Sequence, residues 1–240
     1  MGQLDGKIAI ITGGGTGIGK GIARAFAREG ATLVIASRNR ANLEATATEL
    51  RKLGGEVLVV TADVGDEQQV AALFEETMGR FAKLDILVNN SGIFERGAID
   101  ELSLEAWQRV VDVNLTGPFL CTRAAMRIMK RQRGGRIINI GSISAQMPRF
   151  NSAPYTATKH GLVGLTKTTA LEGREFGISA GSLHPGNVTT EMTSAVQGEE
   201  PMMTVDDVAS AALTMAALPP YANMLEVIVL PVDQPYVGRG

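Results

Sequence analysis

Cysteine is nearly absent from this chain, and the one present, Cys121, cannot close a disulfide within it. Only two histidines, His160 and His184, accompany it, too few ligands for a Cys/His zinc site, so no metal is expected. An apolar run of about 18 residues, the length a membrane-crossing helix needs, does not occur. Asp5 and Lys7 also interrupt the start, where a secretory leader would carry its apolar stretch. Charge of one sign is missing as well. Lys+Arg 23 against Asp+Glu 25 leaves a formal net charge of −2, without the basic footprint of a nucleic-acid binder. These absences predict a cytoplasmic protein in a reducing compartment, with neither membrane nor nucleic acid as partner. Proline is missing from the first 117 residues, since all nine lie at or after Pro118, so the first half is expected to be uninterrupted βα units and the second half to carry the irregular loops. What the chain does have is 45% apolar residues and a mean hydropathy of +0.09, enough for a sizeable core. Its 240 residues are compatible with one α/β domain, 1–240.

Apolar runs of strand length alternate with helical patterns. Residues 7–12 form a β-branched run, followed by a glycine cluster and then Ile18, Ile22 and Phe26 on one helical face. The unit recurs, with strands at 31–37, 57–61, 84–89, 136–140, 178–183 and 225–230. Helices are predicted at 40–53, around Val70 to Phe81, over 103–131, and at 154–176 and 204–218. Asp66 with Gln69 and Thr204 with Asp207 have capping-box spacing. Strands apolar on successive residues need cover on both faces, and strand–helix alternation supplies it, so a doubly wound, seven-stranded parallel sheet flanked by helices is expected. Ligands of such sheets bind beyond the carboxyl ends of the strands.

The first strand ends in Thr12-Gly13-Gly14-Gly15-Thr16-Gly17-Ile18-Gly19, directly before a helix. The spacing G-x-G-x-x-G fails from every glycine, but T-G-x-x-x-G-x-G is met by Thr12, Gly13, Gly17 and Gly19. Glycines here permit positive φ and close approach of a diphosphate to amides at a helix N-terminus. This loop resembles that of the short-chain dehydrogenase/reductase family, and the resemblance covers essentially the whole chain. Asp63-Val64 resembles the family's adenine-contacting pair, Asn89-Asn90-Ser91-Gly92 its Asn-Asn-Ala-Gly, and Pro185-Gly186-Asn187-Val188-Thr189-Thr190 its Pro-Gly-x-Val-x-Thr. A Rossmann-like domain is implied. Its cofactor would be held by Gly13, Thr16, Gly17, Ile18, Gly19, Asp63, Val64, Asn90, Ser91, Gly92, Pro185, Gly186, Val188 and Thr190.

Cofactor choice follows from charge. In dinucleotide folds a carboxylate about 20 residues past the glycines holds the ribose 2′-hydroxyl of NAD, whereas an arginine accommodates the 2′-phosphate of NADP. Here the second strand ends Ala36-Ser37-Arg38-Asn39-Arg40, with Ser37 twenty residues after Gly17 and no carboxylate in the turn. Ser37 and Arg38 therefore select NADP(H).

Tyr155 and Lys159 stand at i, i+4 on a helix, which puts phenol and ammonium on one face. Ser142 ends the fifth strand thirteen residues earlier. A free tyrosine titrates near pH 10, and a nearby cation, here Lys159, lowers it. Tyr155 would then move a proton to or from a carbonyl or alcohol oxygen that Ser142 also hydrogen-bonds. By resemblance, Asn114 completes an Asn-Ser-Tyr-Lys tetrad and anchors a water that relays protons to Lys159. The resemblance also has Tyr155 and Lys159 contact the nicotinamide end, Lys159 through the ribose hydroxyls. No G-x-S-x-G elbow surrounds Ser142, and no acid is placed to complete a hydrolase triad with either histidine.

The expected function is hydride transfer between NADP(H) and a small carbonyl or secondary-alcohol substrate. The alternatives are a 3-oxoacyl-thioester reductase, an NAD-dependent alcohol dehydrogenase and, outside enzymes, a silent NADP-binding regulator. Docking of an acidic acyl carrier would use the basic run Arg127, Lys130, Arg131, Arg133 and Arg136. A mostly apolar substrate pocket is expected from Phe94, Ser144, Met147, Phe150 and Met192, under a short methionine-rich lid at about 191–203. Pro231-Val232-Asp233-Gln234-Pro235-Tyr236 replaces the family's common Asp-Gly-Gly. The resemblance implies a homotetramer or homodimer, and Leu162, Val163 and Leu165 supply apolar positions beyond one core-facing stripe.

Overall fold

The computed structural model describes residues 2–191 and 200–235. Seven strands, β1 (Ile8–Thr12), β2 (Thr32–Ser37), β3 (Val57–Thr61), β4 (Ile86–Asn89), β5 (Gly135–Ile140), β6 (Ile178–Pro185) and β7 (Glu226–Val229), form one sheet. Their order is β3-β2-β1-β4-β5-β6-β7 and every pairing is parallel, as the alternation predicted. The helices are α1 (Gly17–Arg28), α2 (Arg40–Arg51), α3 (Glu67–Phe81), α4 (Leu104–Val111), α5 (Gly117–Gln132), α6 (Ala153–Gly173) and α7 (Val205–Ala217).

All five residues of β1 are buried because successive side chains enter different cores. Ala9 and Ile11 join Ile22 and Phe26 of α1 and Val208 and Met215 of α7, whereas Ile10 joins Leu73 and Phe74 of α3 and Met129 of α5. Thr204 and Asp207 form the full capping box. Asp66 caps α3, but Gln69 Oε1 accepts the amide of Asp63 instead, which ties the β3 exit to that helix. The helical stretch predicted at 103–131 is split by a π-helical turn, Asp112–Thr116, which side-chain periodicity does not reveal. Leu162 is buried within the monomer, so it adds nothing to an outer apolar face.

Strand order reverses between β1's two neighbours, β2 and β4, which opens a crevice at the carboxyl ends of the strands. A buried polar chain fixes the elements around it. Asn89 Nδ2 donates to Asn139 Oδ1 (2.8 Å) and to Thr122 Oγ1 (3.1 Å), and Asn139 Nδ2 donates to Thr166 Oγ1 (2.8 Å). β4 is thereby bonded to α5, and β5 to α6, the helix that carries Tyr155. Arg136 leaves the expected basic run altogether. It is buried at the start of β5 and donates to the carbonyls of Leu218, Pro219 and Ala222, while Arg127, Arg131 and Arg133 stay exposed.

Candidate active site

Two adjoining clefts occupy the carboxyl edge of the sheet. The first is lined by Gly13, Gly15, Thr16, Ser37, Arg38, Asn39, Asn42, Ala62, Asp63, Val64, Ser91, Gly92, Ile93 and Val113. Gly13 has φ +66°, and a Cβ there would lie 2.7 Å from Asn90 Nδ2. Gly19 is needed for packing, since a Cβ would meet the Gly13 carbonyl oxygen at 2.2 Å. Asn90, expected at the cofactor, supports the loop from behind. Its Nδ2 donates to the carbonyls of Thr12 and Gly13, and its main-chain N–H donates to Thr12 Oγ1. Neither Gly19 nor Asn90 lines the cleft.

The residues present fit a dinucleotide. Asn39, Asp66, Ser103 and Thr204 cap α2, α3, α4 and α7 through their side chains, but Thr16 makes no such bond to α1. The first amides of α1 are therefore left for an anion beside the glycine loop. Ser37 and Arg38 stand farther along the same cleft. Although the β2 turn carries no carboxylate, Asp63, two residues beyond β3, faces Arg38 at 3.7 Å. Sequence reasoning missed Asn39 and Asn42. The helix start after β2 was their signal, since Asn39 accepts the Asn42 amide as its N-cap.

The second cleft is lined by Ile18, Phe94, Arg96, Gly141, Ser142, Ile143, Ser144, Arg149, Tyr155, Pro185, Gly186, Asn187, Val188, Thr190, Glu200 and Met202. Ser142 follows β5 and caps a 3-10 turn, its Oγ accepting the Ser144 amide at 3.1 Å. Gly141 must lack a side chain there, because a Cβ would lie 2.3 Å from His184 Nδ1. His184 is fully buried and held neutral by that burial. Its Nδ1 reaches the Ser142 carbonyl at 3.0 Å and its Nε2 reaches Ser182 Oγ at 2.8 Å, so it fixes the serine's main chain and takes no part in a triad.

Tyr155 lies in the first turn of α6, its ring edge-on to Phe94 at 4.9 Å between centroids. Lys159, one turn on, is buried, and its Nζ donates to the Ile140 carbonyl at 2.8 Å and lies 5.4 Å from the Tyr155 ring centroid. Asn114, fully buried in the π-helical turn, accepts the Ile93 amide at 2.8 Å and donates to the Ile93 carbonyl at 2.9 Å. One amide proton and one lone pair remain for the water assigned to it by resemblance. Electrostatics depart from expectation. Burial is the main influence on the Tyr155 phenol and raises it above its ordinary value, opposed by a hydrogen bond from Ser142 and the charge of Arg149, not by Lys159. Lys159 itself is pushed down to about 8 by burial.

A stability change follows from Lys159. Its folded value of about 8 lies below the usual 10.5, so between those pH values the unfolded chain binds more protons and stability rises with pH. Relative to Lys159→Met, the nucleotide-free wild type should gain about 3 kcal/mol of unfolding free energy across that window in urea titrations. A difference that stays flat with pH would show that Lys159 is not held down by burial.

The expected apolar pocket is corrected in part. Phe94 and Ser144 line the cleft, whereas Met147 and Phe150 do not. Phe150 is 99% exposed and borders a neighbouring depression with Ile99 and His160, because the loop carrying it turns outward before α6. Met192 and most of the expected lid at 191–203 lie outside the described residues. Met202 reaches the cleft, but Met203 is buried in the core and pairs with Val188. Arg96, Arg149, Asn187 and Glu200 bring polarity that the sequence reading did not foresee, since single charged residues in irregular loops carry no pattern. Gln234, from the unusual tail, is buried and accepts the Asn187 amide at 2.9 Å, so that segment braces the loop beside the cleft.

A family model described as short chain dehydrogenase matches residues 7–201. The chain is similar to a 3-oxoacyl-[acyl-carrier-protein] reductase of Synechocystis, 38% identical over 200 residues that cover 83% of this chain and 81% of that protein. It is also 38% identical over 239 residues to a 3-alpha-(or 20-beta)-hydroxysteroid dehydrogenase of Mycobacterium tuberculosis, covering 100% and 87% of the two chains. The crystal structure of a short-chain type dehydrogenase/reductase from Mycobacterium marinum superposes with a TM-score of 0.90 at 32% identity, covering 94% of each chain. Among the described residues, no helix is long and apolar enough to cross a membrane, and no group of three metal-binding side chains occurs.

Proposed function

The chain belongs to the short-chain dehydrogenase family, oxidoreductases that use nicotinamide cofactors, and from that premise we propose an NADP(H)-dependent enzyme acting on a carbonyl or secondary alcohol, with Tyr155 as general acid/base. The observation that carries the reading is the meeting of Ser142, Tyr155 and Lys159 beside the cleft that runs from the glycine loop. The nicotinamide supplies or accepts the hydride, and this chain's residues handle the proton. Tyr155 Oη donates it to the carbonyl oxygen, and Ser142 Oγ stabilises the charge that develops on the same atom. His184 and the Ser144 amide hold Ser142 in place for that contact. Gly13, Thr16 and the α1 amides would hold the diphosphate, Arg38 the 2′-phosphate, and Lys159 the nicotinamide ribose.

A second reading, reduction of a 3-oxoacyl thioester, is favoured by the name of the Synechocystis relative and by exposed Arg127, Arg131 and Arg133 at the end of α5. Isotope transfer tests the common chemistry. With NADPH deuterated at C4 on the transferred face, the alcohol formed from an aldehyde, ketone or 3-oxoacyl thioester should carry one deuterium on its carbinol carbon. Nucleotide oxidation that leaves every product unlabelled would exclude hydride transfer to carbon.

A further inference from the structure

The catalytic cleft is more cationic than an apolar-ketone site requires. Arg96 and Arg149 line it against one carboxylate, Glu200, while Phe94, Ile143, Val188 and Met202 supply apolar wall. Building on the hydride-transfer reading above, we propose that the substrate carries a carboxylate, bound by Arg149 with Arg96 alongside, so that the enzyme acts on oxo acids or the matching hydroxy acids.

Arg149 is held for such a contact. Its Nη2 donates to Asn187 Oδ1 at 2.9 Å and to Glu200 Oε2 at 3.1 Å, and among the described residues these are the only hydrogen bonds of its guanidinium. A guanidinium has five N–H donors in a fixed plane, so with Nη2 engaged the N–H groups of Nε and Nη1 remain to make charge-assisted bonds to a carboxylate. Asn187 is itself fixed, its main-chain N–H on Gln234 and its Nδ2 on Glu200 at 2.7 Å. The arginine is thus positioned before substrate arrives, which reduces the ordering cost of binding. Glu200 shares its charge with both Arg149 and Asn187, so it opposes an incoming anion less than a lone carboxylate would. Arg96 makes no hydrogen bond or ion pair among the described residues. Its guanidinium lies 5.4 Å from the Phe94 ring centroid, and Phe94 in turn packs on Tyr155. Arg96 thus stands against the ring that packs on Tyr155, and Arg149 lines the same cleft. The charge of Arg149 also reaches Tyr155, as expected of a group close to the reacting carbonyl. A thioester substrate gives no use to this arrangement, because its phosphates lie at the far end of the carrier arm.

The test compares 2-, 3-, 4- and 5-oxohexanoate with their methyl esters, using NADPH and the full-length protein. At least one acid should exceed its ester in kcat/KM by about tenfold or more, the size of a charge-assisted hydrogen bond. Arg149→Met should cut that acid-over-ester ratio about tenfold, and Arg149→Lys, which keeps the charge without the planar donors, should retain part of it. Because the ratio is taken within one protein, partial misfolding or a disturbed Tyr155 cancels. Calorimetric titration of the nucleotide-free protein should likewise show butanoate binding more tightly than butanamide in wild type and not in Arg149→Met. Acids and esters turned over equally, or a ratio unchanged by Arg149→Met, would overturn the carboxylate site and leave carbonyl reduction standing. No nucleotide oxidation with any carbonyl would overturn the hydride-transfer reading itself, and this inference with it.

Discussion

Tyr155→Phe should lower kcat by about a hundredfold to ten-thousandfold, the range that a positioned general acid contributes, while changing the dissociation constant of NADPH little. The substitution removes one oxygen and keeps the ring, so the edge-on contact with Phe94 and the first turn of α6 remain. Ser142 stays beside the carbonyl as a hydrogen-bond donor. A serine hydroxyl titrates far above neutrality, however, and gives up its proton poorly. Turnover and binding therefore separate, with kcat read from nucleotide oxidation and affinity from NADPH fluorescence. A variant that retains wild-type kcat would remove Tyr155 from the chemistry. One that loses NADPH affinity in proportion would make it a binding residue.

The sheet was legible because its signal is local and repeated. Ile8 to Ile11 are apolar on successive residues, and that is what burial on both faces of β1 requires. Thr204 and Asp207 marked the start of α7 by spacing alone. Tyr155, Lys159 and Ser142 were placed by helix periodicity and a strand end, and they do line or adjoin one cleft. Other features depend on distant chain. Asn114 is buried in the π-helical turn and clamped to Ile93, a partner 21 residues away that the residues around it do not reveal. The sign of the influence on Tyr155 was misread because sequence spacing reports that Lys159 is near, and not that both groups are desolvated or that Arg149 approaches from another loop. Phe150 illustrates the opposite failure. An aromatic next to a catalytic segment suggested a pocket wall, yet the chain direction before α6 turns it into solvent. Gln234 sits in a tail whose departure from the usual pattern was visible, but its partner Asn187 is 47 residues away.

Arg38→Ala is the second large effect. The 2′-phosphate carries about −1.5 to −2 charges near pH 7 if it behaves as other phosphomonoesters do. A charge-assisted hydrogen bond to an arginine contributes on the order of 1.5 to 3 kcal/mol, and 1.4 kcal/mol is about tenfold in affinity. The variant should therefore bind NADPH about tenfold to a hundredfold more weakly and NADH almost unchanged. Asp63 pushes the effect toward the larger value, because losing its partner at 3.7 Å leaves a carboxylate facing the phosphate unscreened. Adding Ser37→Asp should extend the reversal, since a second carboxylate repels the phosphate and accepts a hydrogen bond from the NADH 2′-hydroxyl. Equal weakening of both nucleotides by Arg38→Ala would mean that the residue serves only its ion pair with Asp63.

The most direct measurement is made on the wild-type protein, as kcat/KM for NADPH and for NADH with one carbonyl substrate held at saturation. An NADP(H)-dependent reductase with Arg38 on the phosphate predicts that NADPH leads by about tenfold or more. Parity between the two nucleotides, or a preference for NADH, would contradict it.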